Sequence, residues 1–259
     1  MAITFVGTGN TDTWAVSAAS GIVAPAEHAS TAVGDRVFLI ATWKDFAITA
    51  IGEDGVTGLD WTEVDESADG SVGTGNGTGS MKVGVWYFDW DGTNVDPQVT
   101  FSTSVNQLAL GAILTFRKGA SDTWNAPTFT NGNQALGSTI SVTGGSNLNY
   151  AAGDLLIAIL GIRDDGTFTS FDATATGITW ASSLNKAPST DGSTTSGNDC
   201  SATCGYRIAS SGTSSAAPTM SGTLAASETG RGTFIRQTVT TAVAKSPPFR
   251  HNTRCIRVR

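Results

Sequence analysis

Histidine, cysteine, glutamate and lysine are all scarce in this 259-residue chain, and each shortage closes off a class of function. The two histidines, His28 and His251, stand outside any Ser, Cys or Asp constellation, so no nucleophilic site is read. Three cysteines (Cys200, Cys204, Cys255) make no disulfide framework, and with two histidines they give no zinc pattern. Five Glu and five Lys are too few to clothe the wet faces of helices, so helix content is expected to be low. No apolar run approaches the roughly 20 residues of a membrane helix. The opening "MAITFVGTGNTDTWAVS" has neither a basic n-region nor a continuous apolar stretch, so it does not read as a signal peptide. The expectation is a non-enzymatic protein with no cofactor, no metal and no membrane partner.

What is present is glycine, serine and threonine around short apolar runs. Runs rich in Val, Ile, Phe, Trp and Thr, separated by Gly, Asn, Asp and Ser clusters, read as strands and turns. The net charge of −7 is unevenly placed. The last 15 residues, "KSPPFRHNTRCIRVR", carry Lys245, Arg250, Arg254, Arg257 and Arg259 and no acid. The body before them holds ten basic against 22 acidic residues, or −12. An acidic body repels nucleic acid and anionic membrane. Its basic tail suits an acidic surface, including a neighbouring copy of the same body.

One phrase occurs twice: "AVGDRVFLIATWKD" at 32–45 and "AAGDLLIAILGIRDD" at 151–165. Gly34 and Gly153, Trp61 and Trp180, and Arg117 and Arg236 are each 119 positions apart. Trp86 falls on Tyr206 and Gly92 on Gly212 at a spacing of 120, and Pro97 on Pro218 at 121. Landmarks that keep their order over such a length indicate two copies of one fold rather than a solenoid of short repeats. Residues 37–43 and 155–162 are almost continuously apolar, as a central strand covered on both sides would be. The predicted fold is all-β. It comprises two tandem antiparallel β-sandwich domains, jelly-roll or immunoglobulin-like, at 1–120 and 121–244, related by internal duplication, with a basic tail at 245–259.

Local motifs are weighed against this plan. The runs "ADGSVGTGNGTGS" (68–80) and "PSTDGSTTSGND" (188–199) read as flexible loops, and "GTGNGTG" lacks the Lys-Ser/Thr of a phosphate loop. Asp89, Asp91, Asn94 and Asp96 offer calcium-like spacing, but the aligned "ASSGTSSA" keeps only the glycine, which favours a turn. Glu63, Asp65 and Glu66 could suggest a glycosidase pair, yet their counterparts are uncharged, and a solvated edge is preferred. Cys200 and Cys204, about 13 Å apart if extended, read as buried free thiols. Trp61 and Trp180 read as core. Trp90 has Ser210 opposite it at a spacing of 120, so among the aromatics it is selected as the exposed contact residue, for a glycan or a subunit interface, although packing at the rim of the core is weighed slightly ahead of exposure.

The phrases "GDRVFLIATWKD" and "GDLLIAILGIRDD", the Gly/Ser/Thr-rich loops and the paired "W…VWYF" strands together resemble the accessory structural proteins of tailed bacteriophages. The resemblance implies a β-sandwich protein that coats or projects from a capsid or tail, commonly as a homo-oligomer. It carries over no functional residue. It also accounts for an extracellular style of composition without an export address, since such proteins assemble in the host cytoplasm. Capsid decoration, or cement, is preferred to tail fibre because no shaft repeat or heptad occurs. The expected partners are the major capsid protein and other copies of the chain, through Lys245, Arg250, Arg254, Arg257, Arg259 and Trp90. A carbohydrate-binding or receptor-binding module on a host-surface glycan is the alternative.

Overall fold

In this computed structural model the residues described are 3–9, 15–17, 22–44, 48–53, 56–57, 61–68, 81–92, 97–101, 109–162, 168–175, 178–179, 181–186, 200–210, 212 and 217–242. Among them are nineteen strands and no helix, as the shortage of Glu and Lys predicts. The first ten are β1 (Thr4–Thr8), β2 (Ala15–Ser17), β3 (Ile22–Val23), β4 (Arg36–Lys44), β5 (Ile48–Glu53), β6 (Val56–Thr57), β7 (Thr62–Ala68), β8 (Met81–Asp89), β9 (Pro97–Phe101) and β10 (Ala109–Arg117). A short β11 (Asp122–Trp124) follows. The rest are β12 (Thr128–Thr143), β13 (Leu155–Ile162), β14 (Phe168–Ala175), β15 (Ile178–Thr179), β16 (Ala181–Lys186), β17 (Ser201–Ile208), β18 (Thr219–Gln237) and β19 (Val239–Thr241).

The strands form several antiparallel sheets. One runs β1-β10-β4-β8-β7, with β2 also on β10, and a smaller one runs β3-β9-β5-β6. A third runs β15-β14-β18-β13-β17-β16, with β12 on β18, while β11 and β19 make a two-stranded ribbon. In the third sheet β12 and β18 pair over two stretches. Residues 128–134 lie on 230–236 and residues 139–143 on 219–223, with the register shifting around Gly137. β13 lies on the later stretch of β18 and β14 on the earlier one. The neighbour order of the first half therefore recurs in the second. β10-β4-β8-β7 has its match in β18-β13-β17-β16, and β3-β9-β5-β6 in β12-β18-β14-β15.

Strand periodicity explains where the cores lie, because alternate side chains point to opposite faces. From β4, Val37, Leu39, Ala41 and Trp43 join one cluster with Trp86, Phe88, Trp90 and Val99. Phe38 and Ile40 point the other way. From β13, Leu156, Ala158, Leu160 and Ile162 join a second cluster with Ile140, Met220 and Phe234. Leu155, Ile157 and Ile159 point away from it. The two remaining faces meet each other. Phe38, Ile40, Val83, Val85 and Phe116 pack in one cluster with Leu155, Ile157, Ile159, Cys204 and Ile235. Both apolar strands are thus covered on two sides, as their composition predicts, and part of that cover comes from the other half of the chain. Each large side chain so buried contributes about 1.5–3 kcal/mol.

The pairing corrects one alignment. Leu39 of β4 faces Trp86, whereas Ile157 of β13 faces Tyr206. Leu39 lies 118 positions before Ile157, and Phe38, at the consistent spacing of 119 from Ile157, faces Tyr87. Tyr206 therefore corresponds to Tyr87 rather than Trp86, and a one-residue slip in a strand exchanges faces. Met81, Val83 and Val85 then correspond to Cys200, Ala202 and Cys204, all buried in the shared cluster. Both cysteines are buried and outside any disulfide, in line with expectation.

Glycine is required at two kinds of position. Gly34 and Gly153 have φ of 88° and 92°, which L residues with a side chain rarely adopt. Gly84 lies beneath the stacked pair Trp43 and Trp86, and a Cβ there would come within 2.1 Å of the Trp86 ring. Gly84→Ala should destabilise the protein by about 1–3 kcal/mol through overpacking. Gly153→Ala, with open space around the new methyl, should lose only about 1–2 kcal/mol through its backbone angle. Urea denaturation of both variants checks the contrast, and Gly153→Asn should recover part of the second loss.

Candidate functional site

The polar groups that fold brings together lie in two matching turns and in the seam between the halves. In the first turn the Asp35 carboxylate accepts the Ala32 amide at 2.9 Å, and Arg117 of β10 donates to both its oxygens at 2.7 Å. In the second, Asp154 accepts the Ala151 amide at 2.8 Å and Arg236 Nε of β18 at 2.7 Å. Asp35 is 1% exposed and Asp154 9%. The Asp35 carboxylate, by hydrogen bonding, raises the pKa of the Arg117 guanidinium, holding it still more firmly charged. Backbone bonds match as well. Gly34 donates to Trp90 O and Gly153 to Ala209 O, while Trp90 donates to Asp35 O and Ala209 to Asp154 O.

That equivalence decides the standing of Trp90. Its counterpart is Ala209, which is also buried, and not Ser210. Trp90 is 4% exposed, packed edge-on against Phe88 at 6.1 Å. The expectation of an exposed contact residue is therefore corrected: the position is interior in both halves, filled by indole in one and methyl in the other. The other expected contact residues, Lys245, Arg250, Arg254, Arg257 and Arg259, lie outside the described residues, as do Trp180, His251, Cys255, Asn94, Asp96 and the two low-complexity loops.

Arg36 anchors the seam. It is 3% exposed, and its charge is matched by Asp89, which accepts from Nε at 2.7 Å and Nη2 at 2.9 Å. Nη1 donates to Asn125 O at 2.6 Å and Gln237 Oε1 at 2.7 Å, both from the second half. The guanidinium lies over the Tyr87 ring at 4.2 Å and the Trp124 ring at 5.1 Å. Asp89 is thus committed to an ion pair. Among the described residues no group of three or more His, Cys, Asp or Glu could hold a metal ion.

The acidic cluster separates into two environments. A bulge between Glu63 and Asp65 breaks the strand alternation, turning Asp65 inward while Glu63 and Glu66 stay exposed. Asp65, 4% exposed, accepts Thr233 Oγ1 at 2.7 Å and Asn131 Nδ2 at 3.1 Å across the seam. The expected solvated edge is corrected for this residue: Asp65 is an interior acceptor. Sequence reasoning missed both roles. For Arg36 the signal was a charge set directly against the apolar run Val37–Ala41; for Asp65 a bulge leaves no such mark.

Other polar features are smaller. His28 Nδ1 accepts the Ser30 amide, and its ring lies against Gly7, where a Cβ would clash. Val33, Gly34, Asp35, Arg117, Lys118 and Ala120 line an open depression of about 410 Å³ whose acid and arginine already bind each other. No family model matches the chain, and neither a curated protein nor a solved structure matches it.

Arg36→Met should cost about 1–3 kcal/mol in chemical denaturation, since it strands the buried Gln237 Oε1 acceptor while the half-exposed Asp89 stays hydrated. Arg36→Lys should recover little of that loss, because an ammonium cannot form the planar fork between two rings. Glu66 has its pKa raised by partial burial and then by Glu63, with Lys82 opposing. A raised carboxyl pKa means the fold favours the protonated form, so stability falls as pH rises from the ordinary value of 4.5 through the folded one. Glu66→Gln should raise the denaturation midpoint at pH 7 and leave it unchanged at pH 3.

Proposed function

We propose that the chain is a duplicated β-sandwich protein that acts without catalysis, as an accessory structural component of a phage-type virion. In that role it decorates the shell and contacts neighbouring copies. The observation that carries the structural role is the commitment of its buried charges. Buried Arg36 and the buried carboxylates of Asp35 and Asp154 are each paired within the chain, with Asp89, Arg117 and Arg236 respectively, where they join the halves or fix a turn. The repeated neighbour order and the two identical Gly-Asp turns support duplication. The contrast between an acidic body and a tail with five bases and no acid supports docking onto an acidic lattice.

The alternative, a receptor-binding or carbohydrate-binding module, draws on one feature. Thr139, Ser141 and Thr143 of β12 stand opposite Thr223, Ser221 and Thr219 of β18, forming ranks of hydroxyls on one sheet. Thr143 and Thr219 are hydrogen-bonded at 3.0 Å. Because cross-strand Thr pairs are ordinary sheet chemistry, decoration remains the main reading.

Particles purified from lysates containing the protein should carry it at a fixed copy number. A full-length variant with all five tail bases changed to Gln should lose occupancy, and added salt should strip the unaltered protein. Undiminished occupancy of the variant overturns the tail's role. Absence from particles, together with a glycan-array hit, selects the alternative.

A further inference from the structure

The two matching turns separate what such a turn needs from what one of them has in addition. Both hold a buried aspartate against an arginine, Asp35 with Arg117 and Asp154 with Arg236. At a spacing of 119, Val33 stands where the second turn has Ala152, and Lys118 where it has Gln237. Gln237 is fully buried and reaches inward to Arg36 and Asn125. The second turn thus forms with no ammonium and no branched apolar side chain at these places, so the turn itself requires neither Lys118 nor Val33.

Both additions line the open depression of about 410 Å³, together with Gly34, Asp35, Arg117 and Ala120. Asp35 holds one edge of the Arg117 guanidinium through Nε and Nη2, and Nη2 donates also to Ser30 O. Nη1 donates to none of the described residues, and the Arg117 side chain is 46% exposed. Among the described residues the Lys118 ammonium has no ion-pair or hydrogen-bond partner, the buried Asp122 carboxylate included. It lies 3.9 Å from the point that a Cβ on Gly34 would occupy, whereas that space is open at Gly153. Val33 beside it is 73% exposed. Two cations against one carboxylate leave the depression a single positive charge. A carboxylate matches that surplus, while a phosphate group brings about 1.5–2 negative charges. The methyl groups of Val33 and Ala120 suit an aliphatic stem.

We propose that this depression is a seat for a single carboxylate on a short aliphatic stem, the chemistry of a glutamate side chain on a docking partner. Arg117 Nη1 and the Lys118 ammonium take the carboxylate oxygens, and Val33 covers the stem. An acidic lattice, as in the virion reading, offers such groups. The seat is nevertheless a property of the isolated chain and is tested without particles, so either reading can fail alone.

The test titrates the full-length protein at constant ionic strength with butyrate, which reproduces the stem and carboxylate, while the Gly34 and Ala120 amide resonances are followed. Both should shift along a saturable curve. Lys118→Met should abolish the saturation and Val33→Ser should weaken it. Lys118→Met should also leave the unfolding equilibrium constant within about twofold, as surface substitutions do. Shifts that do not saturate, or a curve that Lys118→Met leaves unchanged, overturn the seat. Inorganic phosphate binding as tightly as butyrate overturns the assignment to a carboxylate. A large loss of stability in Lys118→Met that disappears in the Asp122→Asn background assigns the ammonium to Asp122 and overturns the proposal.

Discussion

Everything in this molecule follows from two strands that have no wet face. β4 and β13 bury every residue between Val37 and Trp43 and between Leu155 and Ile162. A pleated strand sends half its side chains each way, so a sheet built around such a strand must be covered twice. Each half supplies one cover from its own smaller strands and takes the other from its counterpart. The shared cluster is the result, and it ties together residues more than a hundred positions apart.

That burial constrains the charges. An ion in such surroundings is tolerated only when it is paired and its remaining donors or acceptors are used. Arg36 meets that condition through a carboxylate, a carbonyl, an amide oxygen and two aromatic rings, drawn from both halves. The residue 119 positions on is Leu155, so the two halves differ at the very point where they are joined. The Asp-Arg turns serve a local purpose and are the same in both.

Much of the fold was legible in the sequence. Continuous apolar runs marked β4 and β13, and Gly-Asp before each marked a turn that needs a positive φ. Legibility ended where side-chain direction depended on a single residue of register. Aligning Trp86 with Tyr206 rather than Tyr87 turned the comparison inside out, and Trp90 was consequently placed outside the core that it helps to fill. Asp65 was lost to a bulge, and Arg36 to the absence of any sign of which partner would reach it. An apolar run announces that it will be covered but does not say by what.

β12 and β18, of 16 and 19 residues, each run through both pairing stretches of the third sheet. Two pairing stretches that share the same two strands cannot come apart by sliding or hinging between them, because the chain itself passes from one to the other. A tension applied lengthwise along β18 would load its ladder in shear, many bonds at once, whereas a transverse pull would peel them singly. The second half is therefore mechanically anisotropic, stiffest along the strand that threads it.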